Sequence, residues 1–288
     1  MSTAVHTLIS PDAGRGRARR NRSAVLDDLA RTHDVIDISG PSAEASERAA
    51  RAAVADGAER LIVIGGDGIV HLGVQATART DTILGVVPVG TGNDFARAFG
   101  SEPGNTSALA ARALASPRTI DLLQVGDNYV ASVLTTGFSG DVNVRANRIR
   151  FPRGPSRYTV ATILELPHLK ARRIVLTIDG QKLEYDAAML AVANTGWFGG
   201  GMQICPDADP NDGLLDVTVV ADVGRIELLR FFRRVFSGNH LSHPKVHSHR
   251  GSTVEIDAAD LSIWGDGEAV GDGPANCQVA RHTLKLAI

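Results

Sequence analysis

Two glycine-rich turns follow consecutive apolar runs, and both carry side chains suited to phosphate chemistry. Gly65-Gly66-Asp67-Gly68 comes directly after Leu61-Ile62-Val63-Ile64, and Gly90-Thr91-Gly92-Asn93-Asp94 comes after Gly85-Val86-Val87-Pro88-Val89. An unbroken run of β-favouring residues reads as a buried parallel strand. Glycine lacks a Cβ, so such a turn can bend sharply, reach positive φ and bring backbone close to a ligand. A carboxylate at the carboxyl end of a strand, as Asp67 would be, is placed beside phosphates or a metal. Two such turns on consecutive strands point to one nucleotide site, with Gly66, Gly68, Gly90, Thr91, Gly92 and Asn93 holding the ligand. Neither turn is a Walker loop, because no Gly-Lys-Ser/Thr follows, and neither has the GxGxxG spacing of a dinucleotide fingerprint. Glycine turns of this kind also occur in α/β packing without a ligand.

Other residues could complete such a site. A glycine turn at Gly14 and Gly16 enters a helix among Arg15, Arg17, Arg19, Arg20 and Arg22. A helix N-terminus favours phosphate and an early arginine adds to it, which singles out Arg17 against the alternative of a solvated basic face. Glu268, in Asp266-Gly267-Glu268, is a general-base candidate, a role worth ~10²–10⁴-fold in rate; the alternative is an ordinary turn carboxylate. His240, His243, His247 and His249 fit no standard zinc spacing, and Cys205 has no activating base beside it in the sequence.

The ordered motifs resemble those of the diacylglycerol kinase catalytic family, in particular its soluble bacterial lipid kinases. They are Ser10-Pro11-Asp12-Ala13-Gly14-Arg15-Gly16, Pro88 through Arg97, Gly137-Phe138-Ser139-Gly140, Asn194 through Met202, Pro206-Asp207-Ala208, Asp212-Gly213-Leu214-Leu215-Asp216, His243-Pro244-Lys245-Val246 and Asp266-Gly267-Glu268. The resemblance implies an ATP-dependent kinase acting on a lipid hydroxyl, with diacylglycerol the leading acceptor. It also implies that Asp67 and Asp121 act with Mg2+, Glu268 deprotonates the lipid, and a structural magnesium lies near Asp212 and Asp216. There are departures. Ser10 stands where the family usually has Asn, and Ile69-Val70-His71-Leu72 stands where it usually has Thr-x-Asn-Glu, so weaker nucleotide contacts are expected. Asn211, before the matching aspartate, is neutral; a plain β-turn stabilised by aspartate is the alternative to the metal. Rival readings are a kinase for NAD and a non-catalytic nucleotide- or lipid-binding regulator.

These residues must be positioned by two kinds of architecture. Strands at Val5–Ile9, Val35–Ile38, Leu61–Ile64 and Ile83–Pro88 alternate with helices at Arg17–Thr32, Ser42–Asp56, about His71–Ala78, Asp94–Phe99 and Ser107–Ala115, which predicts βαβ units and a parallel sheet. From Arg118 the pattern becomes short strands: Ile120–Leu122, Tyr129–Thr135, Ile174–Ile178, Ala187–Ala193, Leu214–Val220, Val254–Ile256 and Leu261–Ile263. Glycine or aspartate turns separate them, as in an antiparallel sandwich. Helical insertions are expected near Ser156–Leu166 and Val223–Phe236. The fold expectation is therefore an α/β domain over residues 1–121 and a β-rich, sandwich-like domain over 122–281; the resemblance implies that the first is of NAD kinase/phosphofructokinase-like type and that the second receives the lipid. By resemblance, residues 282–288 return to the first domain.

With 288 residues, 43% hydrophobic and 22% charged, the chain has ample material for a core, and its net charge of −2 gives no reason to expect nucleic acid as a partner. Two cysteines fit a reducing cytoplasm. No apolar run approaches the ~20 residues that cross a bilayer. A lipid kinase of this kind must visit the membrane peripherally from the water side. The arginines of Arg225–Phe236, whose apolar stripe is Leu228, Leu229, Phe232, Val235 and Phe236 with Phe231 at its edge, and those of Arg148–Arg153 are the expected contacts. Self-association as a homodimer is left open.

Overall fold

In the computed structural model, which describes residues 4–10, 17–149, 155–258 and 261–288, the chain forms two compact units, Met1–Asp121 with Arg281–Ile288 and Leu122–Ala280. The first contains β1 (Ala4–Ile9), α1 (Arg17–Ala30), β2 (Asp34–Asp37), α2 (Ala43–Ala55), β3 (Arg60–Gly65), α3 (Asp67–Thr77), β4 (Ile83–Pro88), α4 (Asp94–Ala98) and α5 (Thr106–Leu114). Its strands run parallel in the order β17-β4-β3-β1-β2, where β17 (Ala275–Ala287) returns to pair Leu286 with Leu84.

Side-chain alternation sorts the two faces of this sheet. Ile62, Ile64 and Val87 pack with Val25 and Leu29 of α1 and with Leu109, Ala110 and Ala113 of α5. Val63 and Leu84 point the other way, against α3, where a Cβ at Gly73 would come within 2.7 Å of Val63 and 2.8 Å of Leu84. Glycine at position 73 therefore lets α3 lie close on the sheet. Parallel strands covered on both faces explain why β3 and β4 read as continuous apolar runs.

The second unit contains β6 (Asn128–Val130), β7 (Val133–Gly137), α6 (Phe138–Arg148), α7 (Pro155–Glu165), β8 (Arg172–Ile178), β9 (Gln181–Ala193), β10 (Trp197–Phe198), β11 (Met202–Gln203), β12 (Leu215–Ala221), α8 (Arg225–Val235), β13 (Val246–Gly251), β14 (Thr253–Asp257), β15 (Ser262–Gly265) and β16 (Glu268–Asp272). Its strands pair antiparallel in the order β16-β15-β7-β9-β8-β14-β17, with β12 joining β9 to β13. Leu190 and Val192 of β9 face a core shared with β8, β12 and β14. Met189 and Ala191 face the opposite way, toward α6 and α8. β5 (Arg118–Val125) and β17 carry the chain from one unit to the other.

The structure departs from the sequence expectations in several places. Helix α3 begins at Asp67, not near His71. The strand expected over Tyr129–Thr135 is broken between β6 and β7, because the N–H groups of Ala131 and Ser132 are taken by the Asp266 carboxylate, both at 2.8 Å, and not by a neighbouring strand. Helix α6 was not anticipated from the sequence. In α8 the buried side chains are Leu228, Phe231 and Val235, while Leu229 and Phe236, assigned to the apolar stripe, are exposed.

Candidate active site

In the first unit the two glycine turns lock onto one another. Val89 and Gly90 donate their N–H groups to the Gly65 carbonyl, at 3.0 and 3.2 Å. A Cβ on Gly90 would stand 2.4 Å from the Cα of Gly66, and one on Gly92 would stand 2.6 Å from Oδ2 of Asp67. Glycine is required here by close approach. Gly65, Gly66, Gly90 and Gly92 do not use positive φ, and the left-handed residue of the second turn is Asn93, at φ 54°. Buried Asn93 holds that conformation itself, donating its amide to the Gly90 carbonyl at 2.8 Å and accepting the Gly90 N–H at 3.1 Å. Its side chain is thus a brace of the turn.

Asp67 joins the turns chemically. As the first residue of α3 it sits at the positive end of the helix, and its Oδ1 accepts the N–H of Phe95 in α4 at 3.2 Å. Arg97, which the sequence reading left without a role, donates to the Gly92 carbonyl at 3.2 Å and pairs with Glu102 at 3.2 Å, fixing the second turn from behind. Gly68 and Thr91 are exposed, and Gly66, Asp67, Gly90 and Gly92 are half-buried, so this end of the sheet presents backbone and one carboxylate to solvent. Ile69 and His71 are buried within α3. Two of the three side chains that replace the family's polar set therefore pack inside the unit, and the third, Leu72, is half-buried. Gly14 lies outside the described residues; Arg17 opens α1, its side chain likewise outside the description.

Asp121 has a different environment. Only 2% exposed, it accepts the N–H of His282 at 2.7 Å, where His282 has a left-handed φ of 50°. Nearby, Arg79 donates its N–H to the Thr283 carbonyl at 2.9 Å. These bonds seat the returning end of β17.

In the second unit several motifs support one hairpin. Asp266 and Gly267, at φ 53° and 86°, form the two-residue connection between β15 and β16 that suits the strand twist. Asp266 grips both Ala131 and Ser132, and Asn194 donates to the Ala131 carbonyl at 3.0 Å. Gly140 brings α6 against β15, since a Cβ there would meet the Ser262 carbonyl at 3.1 Å. The exposed Glu268 is the first residue of β16 and is carried on this braced hairpin. Its sequence neighbourhood signalled a turn, but the bracing partners come from residues far away in the chain.

The Asp212 and Asp216 pair does not fit the expected structural metal. Arg250 of β13 makes an ion pair with Asp212, and its Nε lies 3.2 Å from Asp216. Burial pushes the Asp216 carboxyl up from its ordinary value, and Arg250 opposes that shift. The positive charge between the two carboxylates is thus supplied by an arginine. Among the described residues no group of three or more His, Cys, Asp or Glu side chains could hold a metal ion. Asp67, by contrast, fits Mg2+, which takes one or two carboxylates and fills its shell with water and phosphate oxygens. The four histidines have separate contacts: His240 is buried against the Ile204 carbonyl at 2.9 Å, His243 lies 3.3 Å from Glu227, and His247 and His249 lie against Tyr185. Burial raises the thiols of Cys205 and Cys277 to about 12, which makes both poor nucleophiles.

A parallel α/β unit with paired glycine turns is thus followed in the chain by an antiparallel unit. Residues 4–125 match the diacylglycerol kinase catalytic domain, and residues 132–288 match the YegS C-terminal NAD kinase beta sandwich-like domain. A protein from Mycobacterium tuberculosis named diacylglycerol kinase is 36% identical over 290 residues, covering 98% of this chain and 94% of its own. A Pseudomonas putida protein named probable lipid kinase YegS-like is 31% identical over 223 residues, 75% of either chain. A crystal structure of a candidate diacylglycerol kinase from Bacillus anthracis superposes with a TM-score of 0.83 over 99% of this chain and 97% of its own, at 21% identity, a likeness of fold. The chain belongs to the diacylglycerol kinase catalytic family. Membership in a kinase family implies a nucleotide phosphate donor.

Proposed function

We propose that this chain transfers the γ-phosphate of ATP to a lipid hydroxyl, with diacylglycerol the acceptor and phosphatidic acid the product. The observation that carries the acceptor is the 36% identity, over 98% of the chain, to a protein named diacylglycerol kinase. In this reading the solvent-facing backbone of Gly66, Gly68, Gly90, Thr91 and Gly92 receives the nucleotide phosphates, with Gly14 and Arg17 as further contacts. Asn93 shapes the turn, and Asp67 holds Mg2+, which when bound neutralises phosphate charge. Glu268 accepts the hydroxyl proton as the lipid oxygen bonds to the γ-phosphorus; the bond from that phosphorus to the bridging oxygen breaks, and ADP leaves with the electron pair. Asp121, buried and bonded to backbone, acts by holding β17 in place. Among the described residues no helix is long and apolar enough to cross a membrane. In this reading the enzyme works in the cytoplasm and meets its lipid peripherally, from the water side.

Incubation with labelled ATP and a panel of diacylglycerol, ceramide, a sphingoid base, an inositol lipid and NAD tests the proposal. Label is expected in phosphatidic acid. Label in NAD, or in no acceptor with ATP still bound, would overturn it in favour of the rival kinase or a regulator.

A further inference from the structure

Two histidines of β13 share one face of the second unit. His247 pairs with Val219 of β12, and His249 pairs with Val217. Both valines belong to the core cluster that β12 shares with β8, β9 and β14. Partners across a ladder project to the same side, so both imidazoles follow the valines. Ser248 and Arg250 project to the other side, where Arg250 meets Asp212 and Asp216. Residues two apart on a strand are about 6.5–7 Å apart. Two rings at that separation can converge on one ion, with ring nitrogens at ~2.0–2.1 Å from it.

Tyr185 of β9 completes the group. Its ring centroid lies 5.0 Å from that of His247 and 6.0 Å from that of His249, and its hydroxyl is 2.7 Å from Nε2 of His249. With the Nε2 proton donated to the phenol oxygen, Nδ1 of His249 keeps its lone pair. Among the described residues that nitrogen has no partner, and the His247 ring makes no hydrogen bond. Burial, and then the neighbouring His247, hold His249 below the ordinary histidine range, which keeps its ring neutral at pH 7. Both histidines are half-buried, so solvent reaches them.

We propose that His247 and His249 bind a divalent transition-metal cation of the zinc, nickel and copper class, with Tyr185 orienting His249. Magnesium takes oxygen ligands, whereas imidazole suits the borderline cations. Metal-bound histidines are characteristically held through their other ring nitrogen, which is the part Tyr185 plays here. Two protein ligands leave the remaining positions to water, so the ion exchanges freely. Tyr185 reaches from β9, and an occupied site therefore ties β13 to that strand through His249. The site belongs to the second unit and shares no residue with the proposed nucleotide site.

Calorimetric titration of the full chain with NiCl2, without nucleotide or lipid, tests this independently of turnover. One ion per chain is expected, with Cu2+ bound more tightly than Ni2+ or Zn2+ and with excess Mg2+ unable to compete. His247→Gln and His249→Gln should each lower Ni2+ affinity at least ~10-fold, and Tyr185→Phe, which removes only the hydroxyl, by about 10-fold. His168→Gln should leave it unchanged. In wild-type protein, substoichiometric Cu2+ should broaden the ring NMR signals of His247 and His249 before those of His33 and His168. Three results would overturn the proposal: no stoichiometric ion, unchanged affinity in a histidine variant that keeps the wild-type melting temperature, or broadening that begins at other histidines. Equal affinity in Tyr185→Phe would remove Tyr185 from the site.

Discussion

A single glycine separates Asp266 from Glu268, and the two carboxylates do different work. Asp266 accepts two backbone N–H groups and holds the hairpin; Glu268 is exposed and makes nothing rigid. Glu268→Gln is therefore expected to keep the melting temperature and lower turnover about 100-fold, read in mixed micelles. Asp266→Ala should do both kinds of damage. Leaving two backbone donors without their charged acceptor costs about 1–3 kcal/mol, visible in thermal melts, and the loosened Glu268 lowers turnover as well. The nucleotide side yields a contrasting case. Ile69 and His71 pack within α3, so His71→Asn with Leu72→Glu should lower the melting temperature and leave ATP affinity unimproved in a calorimetric titration. Tighter ATP binding would mean that these positions reach the ligand after all.

At the scale of elements, the turn before β12 and the strand β13 are joined by Arg250, which lies between Asp212 and Asp216. Wild-type protein should melt at the same temperature in magnesium and in chelator at matched ionic strength. Arg250→Met should lower stability at pH 7 by about 1–3 kcal/mol, since it leaves buried Asp216 without its cation. The pH dependence has a definite sign. A carboxyl whose folded pKa is raised is tolerated in the fold below its unfolded pKa, near 4, and destabilises as pH rises through the folded value. The deficit of Arg250→Met should therefore shrink as pH falls from 7 toward 4, and a deficit constant over that range would contradict the buried-charge account. The same scale shows what the sequence made legible. The parallel strands and both glycine turns were readable because each strand is apolar along its length and ends in a glycine cluster. The start of α3 was not, because Gly66-Asp67-Gly68 has loop composition, yet Gly66 caps the helix and Asp67 is its first residue. β13 escaped as well: Val246-His247-Ser248-His249-Arg250-Gly251 lacks an apolar face, and its strand character comes from pairing with β12. The bracing of Glu268 was illegible for another reason, since Ala131 and Ser132 lie more than a hundred residues from Asp266 and no local pattern marks them.

For the molecule as a whole, the first unit is interrupted: its parallel sheet uses the end of β17, from Arg281 on, which follows the entire second unit in the chain. A fragment ending at Asp121 should lack cooperative unfolding by calorimetry, since β4 would lose its neighbour and Asp121 its bond to His282. A sharp transition in that fragment would show that β17 is dispensable. The order of synthesis gives this topology a further consequence. The contact between Asp121 and His282 spans 161 positions, so a nascent chain leaving the ribosome carries a half-built sheet through all the translation between them. During that interval the β4 edge is open, an apolar edge of the kind that recruits other strands. Chaperone occupancy on translating chains should accordingly peak before the codons for residues 281–288 are read and fall once they emerge.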